Sequence, residues 1–361
     1  QERLMKRICL AGGGTGGHVT PLLALAEEWM AAGGEVLYVG AAGKIEETLV
    51  PAAGVALEVI SGGGRIKGMN LLTRARSLAT VPGGVHEAAR ILDRFRPDVV
   101  IGAGGFASFA TGAAAVAKGI PLVLCEQNSI PGLTNRVLSR VARKVCTSFA
   151  MTASHLNVLK VVLTGNPVRA ALRALSDRPA GRPGLRRLTV LGGSQGARFL
   201  NTDVAACLGT LLETHPDLQL THQCGQGREQ ETLAAYHGAP RVEVVPFIDD
   251  MASLLEMSDL VVCRAGATTI AELTTVGVPA LLVPFPFATD NHQEHNARAM
   301  ERAGGAEVII QSEFDPDRLT AQLMSLHSDP ESLGRMAAAS RSMGRPDAAA
   351  AVLDVCKEMV R

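Results

Sequence analysis

Residues 8–21, ICLAGGGTGGHVTP, pass from an apolar run through a glycine-rich turn into a helical pattern. Residues 188–197, LTVLGGSQGA, repeat that order about half a chain later. Glycine lets the backbone approach a ligand closely, and the following helix aims unpaired N–H groups at negative charge. The two turns predict paired α/β domains with a cleft between them, each holding part of a charged ligand.

Apolar runs alternate with helical patterns along both halves, which predicts parallel sheets covered by helices on both faces. Strands are predicted at 8–11, 36–39, 57–60, 99–101, 122–125 and 144–147, and again at 188–191, 218–223, 242–245, 260–263 and 280–283. The boundary between domains is expected near 166–187, around the Pro- and Gly-rich residues 177–184. A last helix, from 347 to about 360, fits either domain on sequence pattern alone.

The composition limits the class of protein. A length of 361 residues favours two domains, and the apolar 47%, mostly Ala, Val and Leu, suits buried parallel sheets. Thirty-five basic residues balance thirty-five acidic ones, which argues against broad capture of nucleic acid. The seven cysteines lack CxxC spacing and predict buried, reduced thiols in a reducing cytoplasm. Without an apolar run of membrane-spanning length or a secretory leader, any membrane contact is expected to be peripheral.

The first glycine turn contains the pattern GxGxxG at Gly12, Gly14 and Gly17. A dinucleotide site also needs an acidic residue at the end of the second strand, which here ends Tyr38-Val39-Gly40. NAD and FAD are therefore disfavoured. A diphosphate-type anion site and a close helix–strand packing turn both remain open. Glycine turns at 61–65 and 101–108 favour the anion site, because loops after parallel strands gather at one edge.

Several polar residues carry two interpretations each. His18, in the first turn of its helix, is a neutral proton acceptor or a structural histidine. The polar residues of CEQN, 125–128, contact ligand or brace their loop. Glu272 suits a ribose diol or compensates a helix dipole in the first turn. His292 and His295 stand one helical turn apart, but no third metal ligand is evident. The basic and apolar residues of 65–78 suit a membrane surface or an ordinary core-facing helix.

Together these motifs closely resemble the MurG family, glycosyltransferases of peptidoglycan synthesis that convert lipid I to lipid II. The matching stretches, in the family's order along almost the whole chain, are GGGTGGHVTP, GAGGFAS, EQNSIPGLTN, GNPVR, GGSQGAR, FIDDM, RAGATTIAEL, GVPALLVPFP and DNHQEHNA. The resemblance implies an α/β GT-B fold, with two Rossmann-like, doubly wound parallel-sheet domains facing across a cleft. Residues 1–168 with 345–361 would bind acceptor and membrane, and 169–344 would bind the UDP-sugar donor.

The resemblance also implies the reaction. N-acetylglucosamine would move from UDP-N-acetylglucosamine to the C4 hydroxyl of lipid I, the undecaprenyl-diphosphate-linked muramyl peptide, with inversion to a β-1,4 link. The enzyme would serve cell wall synthesis, and so cell shape and division. It would lie peripherally at the cytoplasmic face, on the anionic inner-membrane surface, without a cofactor, a metal or nucleic acid. Alternatives are a UDP-sugar 2-epimerase of similar fold, a non-catalytic nucleotide-sugar sensor or membrane scaffold and, least favoured, an NAD-linked oxidoreductase.

Family roles carried over to this sequence make His18 the general base. They imply that Glu272 contacts the ribose and that Ile248 lies beside the uracil. They also imply that Arg169 and Ser194 lie near the phosphates and that Gln293 contacts the sugar. Departures from the family are Ala265 for a common Ser, His292 for a common Gln and Phe106 for a frequent Tyr. The full expected set is donor-binding Thr15, Gly16, Gly17, Asn128, Arg169, Ser194, Ile248, Ala267, Thr268, Thr269, Ile270, Ala271, Glu272 and Gln293; acceptor-diphosphate Gly13, Gly14, Gly63, Gly64, Gly104 and Gly105; and membrane Ile66, Lys67, Leu71, Leu72, Arg74 and Leu78.

Overall fold

The computed structural model describes residues 6–62, 80–180, 184–193 and 195–360. The chain divides into two compact units, residues 1–170 with 345–361, and residues 171–344. The division after Ala170 lies two residues beyond the 168/169 boundary expected from the sequence and groups Arg169 with the first unit. The acceptor and donor roles expected of the two domains stay predictions.

Each unit is built on one parallel sheet. The first has the strand order β3-β2-β1-β4-β5-β6-β7 and the second the order β10-β9-β8-β11-β12-β13. The strands are β1 (Arg7–Ala11), β2 (Glu35–Ala41), β3 (Ala56–Ile60), β4 (Val99–Gly102), β5 (Leu122–Glu126), β6 (Lys144–Thr147), β7 (Val161–Leu163), β8 (Arg187–Leu191), β9 (Gln219–Gln223), β10 (Val242–Val245), β11 (Leu260–Cys263), β12 (Ala280–Leu282) and β13 (Ala306–Val308).

Helices cover the sheets and are numbered here through the described residues. They are α1 (Gly16–Ala31), α2 (Glu46–Ala52), α3 (Val81–Phe95), α4 (Gly105–Ala117), α5 (Leu133–Leu138), α6 (Ala170–Arg173), α7 (Ala205–Thr214), α8 (Glu229–Ala235), α9 (Met251–Met257), α10 (Ala267–Val276), α11 (His292–Arg302), α12 (Pro316–Ser328), α13 (Pro330–Met343) and α14 (Ala348–Val360). Among these described helices, none is long and apolar enough to cross a membrane.

The central strand β1 shows why the first sheet is covered on both faces. Ile8 and Leu10 belong to a core cluster that includes residues of α1 and the last helix α14. Cys9 and Ala11 belong to a second cluster with α3 and α4. Alternate residues of a strand point to opposite faces, so a strand apolar at every position is buried on both sides.

The second unit has a core of the same kind on the face covered by α7, α12 and α13. All seven cysteines are unpaired and buried, as the sequence predicts. Burial raises the pKa of Cys9 and of Cys263 to about 12, so both thiols stay protonated at neutral pH.

The order of strands locates the edges where ligands bind. In each sheet the chain first builds outward on one side and then returns to the other side of its first strand. Loops leave the two strands at this switch point, β1 and β4 or β8 and β11, in opposite directions and open a crevice at their carboxyl ends. The glycine turns follow β1, β4 and β8, and the turn of RAGATTIAEL follows β11.

Candidate active site

The loop after β1 holds the candidate base, His18. His18 is the third residue of α1, and its Nδ1 lies 2.9 Å from the carbonyl oxygen of Gly13. A carbonyl only accepts hydrogen bonds, so Nδ1 carries the proton. In the neutral ring Nε2 then keeps its lone pair and accepts a proton. The hydroxyl oxygen of Thr15 lies farther from Nδ1, at 3.4 Å, so the Gly13 carbonyl is the nearer of the two partners.

The loop after β4 lies directly against this histidine. Gly104 and Gly105 have φ angles of +102° and +83°, which favour glycine. A Cβ on Gly104 would lie 3.2 Å from His18 Nε2, and a Cβ on Gly105 would lie 2.6 Å from the oxygen of Gly13. The structure therefore brings Gly13, Gly104, Gly105 and His18 together.

Two side chains bind the backbone of the first loop and hold it in place. The sequence analysis does not identify either of them. Glu46, at the start of α2, is wholly buried, and its two oxygens accept N–H groups from Ala41 at 3.1 Å and from Gly14 at 3.2 Å. Tyr38 donates its hydroxyl proton to the oxygen of Gly12 at 3.0 Å. Burial, together with the nearby Glu46 carboxylate, raises the pKa of Tyr38 well above its usual range.

The EQN loop after β5 is braced by its own glutamate. Glu126 is buried and accepts N–H groups from Asn128, Gly132 and the side chain of Asn135 at 3.0, 3.0 and 2.8 Å. The loop-bracing interpretation therefore holds for Glu126. Thr134 donates to the oxygen of Gly105 at 3.3 Å, which ties this loop to the one after β4.

The other expected first-unit residues lie at the start of α1, just before α6, or outside the described residues. Arg169 is exposed and follows the buried segment 164–168. Thr15 has extended backbone angles at the N-cap of α1, and Gly16 and Gly17 open that helix. Outside the described residues lie the expected acceptor glycines Gly63 and Gly64 and the expected membrane residues Ile66, Lys67, Leu71, Leu72, Arg74 and Leu78.

In the second unit, the loop after β8 is fastened to β9. The side chain of Gln223 accepts the N–H of Gly193 at 3.0 Å and donates to the oxygen of the same residue at 3.0 Å. Gly193 has a φ of +77°. The expected phosphate residue Ser194 lies outside the described residues.

A buried polar chain lies beneath this loop. His222 is fully buried, with Nδ1 2.7 Å from the Tyr236 hydroxyl and Nε2 3.1 Å from Oδ1 of Asn201. Asn201 in turn donates to the oxygen of Cys224 at 2.8 Å. Burial lowers the pKa of His222 to about 3, so the ring is neutral at pH 7.

The turn after β11 presents the expected ribose residue. Helix α10 begins after an extended Gly266, and Glu272 is its sixth residue, 8% exposed. Glu272 lies beyond the first turn, so its interpretation as a first-turn dipole partner is wrong. Arg264, which sequence reasoning did not single out, donates to the oxygens of Val283 and Pro284 at 3.1 and 3.2 Å and fixes this turn against the loop after β12.

Helix α11 is attached to both of these loops. Gln293 accepts the N–H of Phe285 at 3.0 Å, and Asn296 donates to the oxygen of Ala265 at 3.3 Å. Ile248 follows β10 at the same carboxyl edge of the sheet and is half-buried. Gln293 thus binds the loop after β12, whereas Ala267 and Glu272 lie on α10, the helix that follows β11.

Both units of the chain match domains of a known protein family. Residues 8–147 match the glycosyltransferase family 28 N-terminal domain, and residues 187–352 match the glycosyltransferase family 28 C-terminal domain. The chain belongs to glycosyltransferase family 28. Family 28 membership agrees with the α/β, GT-B architecture expected from the glycine turns.

Curated relatives are similar over nearly the full chain. Proteins named UDP-N-acetylglucosamine--N-acetylmuramyl-(pentapeptide) pyrophosphoryl-undecaprenol N-acetylglucosamine transferase are 43% identical in Anaeromyxobacter dehalogenans and 44% identical in Nitratidesulfovibrio vulgaris. The first alignment covers 98% of this chain and 93% of the relative, and the second covers 99% and 98%.

Two solved structures share the fold of this chain but differ in sequence identity to it. Acinetobacter baumannii MurG is 32% identical with a TM-score of 0.78, over 98% of this chain and 99% of that one. A UDP-GlcNAc 2-epimerase from Neisseria meningitidis, bound to UDP-GlcNAc, has a TM-score of 0.70, over 97% of this chain and 99% of that one. Its identity is only 14%, so that similarity shows the shared fold and gives the epimerase alternative no further support.

Proposed function

We propose that this protein is an inverting glycosyltransferase that moves N-acetylglucosamine from UDP-N-acetylglucosamine to the C4 hydroxyl of lipid I. The products are lipid II and UDP, and the reaction belongs to peptidoglycan synthesis. The observation that carries this proposal is the naming of the relatives, which are 43–44% identical over almost the entire chain.

The chemistry is a single displacement assisted by His18. The C4 oxygen of the acceptor attacks the anomeric carbon as the bond from that carbon to the UDP oxygen breaks, which inverts the centre. The hydroxyl proton passes to Nε2 of His18, and the bonding electron pair leaves with UDP. The hydrogen bond from Nδ1 to Gly13 supports this role, because it leaves Nε2 as the accepting nitrogen.

The donor is held by groups suited to its parts. The carboxylate of Glu272 accepts hydrogen bonds from the two hydroxyl groups of a ribose. Ile248 offers an apolar surface to the uracil. The first N–H groups of α10 suit the negative charge of a diphosphate, and Arg169 is the guanidinium assigned to the charge that develops on the leaving group. Gln293 and Asn128 are the residues assigned to the sugar, and Thr15, Gly16 and Gly17 complete the proposed donor set.

The acceptor diphosphate belongs on the glycine loops of the first unit. Gly14 has open space where a side chain would be, whereas Gly13, Gly104 and Gly105 pack closely against Glu46, His18 and the oxygen of Gly13, respectively. Helices α1 and α4 start at these loops, so their N–H groups favour an anion there. This placement would bring the diphosphate of lipid I close to the base that activates its sugar.

The protein acts at the cytoplasmic face of the membrane, on an anionic lipid surface. Support comes from a part of the first unit near α5, where a recess of about 420 Å³ is lined by basic side chains including Arg136, Arg140 and Lys160. Exposed apolar side chains lie on the same segments, with Val141 54% and Leu159 82% exposed. Basic and apolar groups side by side bind anionic bilayers through charge and shallow insertion.

Vesicle binding tests the membrane proposal. Co-sedimentation with phosphatidylglycerol vesicles should exceed that with phosphatidylcholine vesicles and weaken as salt rises. The double substitution Val158→Ser with Leu159→Ser should reduce binding several-fold, whereas Leu233→Ser, at an exposed site of the second unit, should not. Equal binding to both kinds of vesicle would contradict the proposal.

The decisive experiment for the reaction measures UDP release with and without a short-chain lipid I analogue. We expect rapid release only when the acceptor is present, together with a disaccharide product of β configuration. Conversion of UDP-N-acetylglucosamine to its manno epimer without acceptor would establish the epimerase instead. Tight donor binding without UDP release, even with acceptor present, would indicate a sensor.

A further inference from the structure

The buried carboxylate of Glu46 has no role in the reaction as derived so far, yet it binds the loop that also holds the candidate base. Its Oε2 accepts the N–H of Gly14 at 3.2 Å. The carbonyl that receives the proton of His18 Nδ1 belongs to Gly13, at 2.9 Å. Gly13 C=O and Gly14 N–H are the two ends of one peptide group. One peptide plane therefore links a carboxylate to the imidazole.

The geometry of that peptide gives the link a direction. No peptide bond of the described residues is cis, so the C=O and N–H of this group point to opposite sides. Glu46 holds the N–H end, and His18 is held by the C=O end. A negative charge at the N–H end polarises the amide, which makes its oxygen a stronger acceptor for the Nδ1 proton.

The surroundings keep this arrangement in one orientation. The other oxygen of Glu46 is fixed by the N–H of Ala41 at 3.1 Å, and the side chain is fully buried. A Cβ on Gly13 would overlap the carboxylate, so this residue leaves space only for hydrogen. The Tyr38 hydroxyl holds the preceding carbonyl, that of Gly12.

We propose that Glu46 is a positioning residue that fixes His18 as its Nδ1–H tautomer through the Gly13–Gly14 peptide. The effect on catalysis rests on the proposed function, in which Nε2 of His18 takes the acceptor proton. With the peptide rotated or less polarised, the ring loses its strongest reason to carry the proton on Nδ1. A larger share of molecules then holds the proton on Nε2, where it blocks proton uptake.

Nitrogen NMR of histidine-labelled full-length protein measures the tautomer directly, with the His18 signal assigned by its loss in His18→Gln. The wild-type protein should show a protonated Nδ1 and a bare Nε2. Glu46→Gln keeps the shape of the side chain, but its amide group offers only one acceptor oxygen to two N–H groups. We expect a mixture of tautomers in this variant. Turnover should fall about tenfold, with the KM for UDP-N-acetylglucosamine changed less than twofold.

Two further variants separate positioning from general damage. Glu47→Gln makes the same chemical change in the same helical turn, but Glu47 is exposed and binds only the N–H of Gly43, so this variant should match the wild type. Gly13→Ala displaces the Glu46 carboxylate without altering its chemistry and should also shift the tautomer. Gly83→Ala, at an exposed glycine of α3 with no atom in the way, is its control.

The outcomes distinguish this proposal from the proposed function. A bare Nδ1 on His18 in the wild-type protein overturns the positioning role without any variant. An unchanged nitrogen spectrum in Glu46→Gln also overturns the positioning role of Glu46. If His18→Ala is inactive in the same study, the general-base role of His18 is still supported. A shifted tautomer in Glu46→Gln supports the positioning of His18 by Glu46. If His18→Ala nevertheless keeps full turnover, the general-base role of His18 is contradicted.

Discussion

The two glycine loops that follow the central strands, GGGTGGH after β1 and GGSQG after β8, are built alike and braced differently. Each leaves its sheet at the switch point and is held by a buried polar side chain on the side of the neighbouring strand. In the first loop this brace is Glu46, which follows β2 and accepts two N–H groups. In the second it is Gln223, which ends β9 and both accepts from and donates to Gly193.

The difference in charge matches a difference in task. The carboxylate behind the first loop binds the same peptide group as His18, which takes up a proton in the proposed reaction. The neutral amide of Gln223 binds the N–H of Gly193 without placing a negative charge behind the second loop, so it repels a diphosphate less than a carboxylate would. The histidine of the second unit, His222, is kept neutral by burial. We infer that the first loop handles the acceptor and its proton, and that the second handles the leaving group.

The largest expected effect is on His18, the residue that distinguishes the first loop. His18→Ala should lower kcat by roughly 10²- to 10⁴-fold, the usual contribution of a general base. Its KM for UDP-N-acetylglucosamine should change little. UDP release in the presence of a lipid I analogue measures both constants, and His86→Ala, an exposed histidine of α3, is the matched control. Near-normal turnover of His18→Ala would place proton transfer elsewhere.

The sequence predicts most of the strands, but it does not predict the buried side chains that hold the glycine loops. Strands such as β6 and β11 were found at their observed bounds, because buried parallel strands are continuous apolar runs. The sequence analysis does not predict β7 and β13. The residues of β7 are all partly or fully exposed, and β13 is interrupted by a glutamate, so neither is a continuous buried apolar run. Short, partly polar strands are held by their neighbours in the sheet more than by their own pattern.

The supports of the loops were missed for a related reason. Glu46 and Glu47 are adjacent acids in the first turn of α2, a position where acidic residues are common because they favour the helix dipole. The signal available was the spacing of Glu46 from Val50, since residues four apart share a helix face and Val50 is apolar. Gln223 gave no such signal, because its partner Gly193 is 30 residues away. Contacts of this range depend on strand order, which a single sequence does not fix.

The next largest effect concerns how closely the second loop packs. A Cβ on Gly196, which has a φ of +69°, would overlap the carbonyl oxygen of Cys224. Gly196→Ala should lower the free energy of unfolding by about 3 kcal/mol, from backbone strain plus the overlap. Gly193→Ala has a similar φ of +77° with open space around it, so it should cost about 1 kcal/mol. Urea unfolding measures both values, and equal losses would show that packing against Cys224 is unimportant.

A smaller effect tests the neutral histidine beneath that loop. Burial lowers the pKa of His222 from 6.5 to about 3, so the unfolded chain binds this proton and the folded chain does not. Stability from this group is present above pH 6.5 and is lost as pH falls toward 3, by about 2 kcal/mol between pH 7 and pH 5. Unfolding free energies at these two pH values should show that slope in the wild type. The slope should shrink in His222→Gln and persist in His86→Gln, and a wild-type slope in His222→Gln would contradict this assignment.

The smallest effect follows from giving the second loop the charge of the first. In Gln223→Glu, the buried carboxyl group faces the oxygen of Gly193, so it is expected to hold its proton at low pH and replace the amide as donor. Once ionised, it repels both that oxygen and a bound diphosphate. UDP affinity measured by calorimetry should therefore match the wild type near pH 5 and be roughly tenfold weaker near pH 8, a difference of about 1.4 kcal/mol. Gln219→Glu, exposed on the same strand, should follow the wild type at both values. If Gln223→Glu also follows it, a neutral brace is not what suits this loop to an anion, and the division of tasks between the two loops must come from His18 alone.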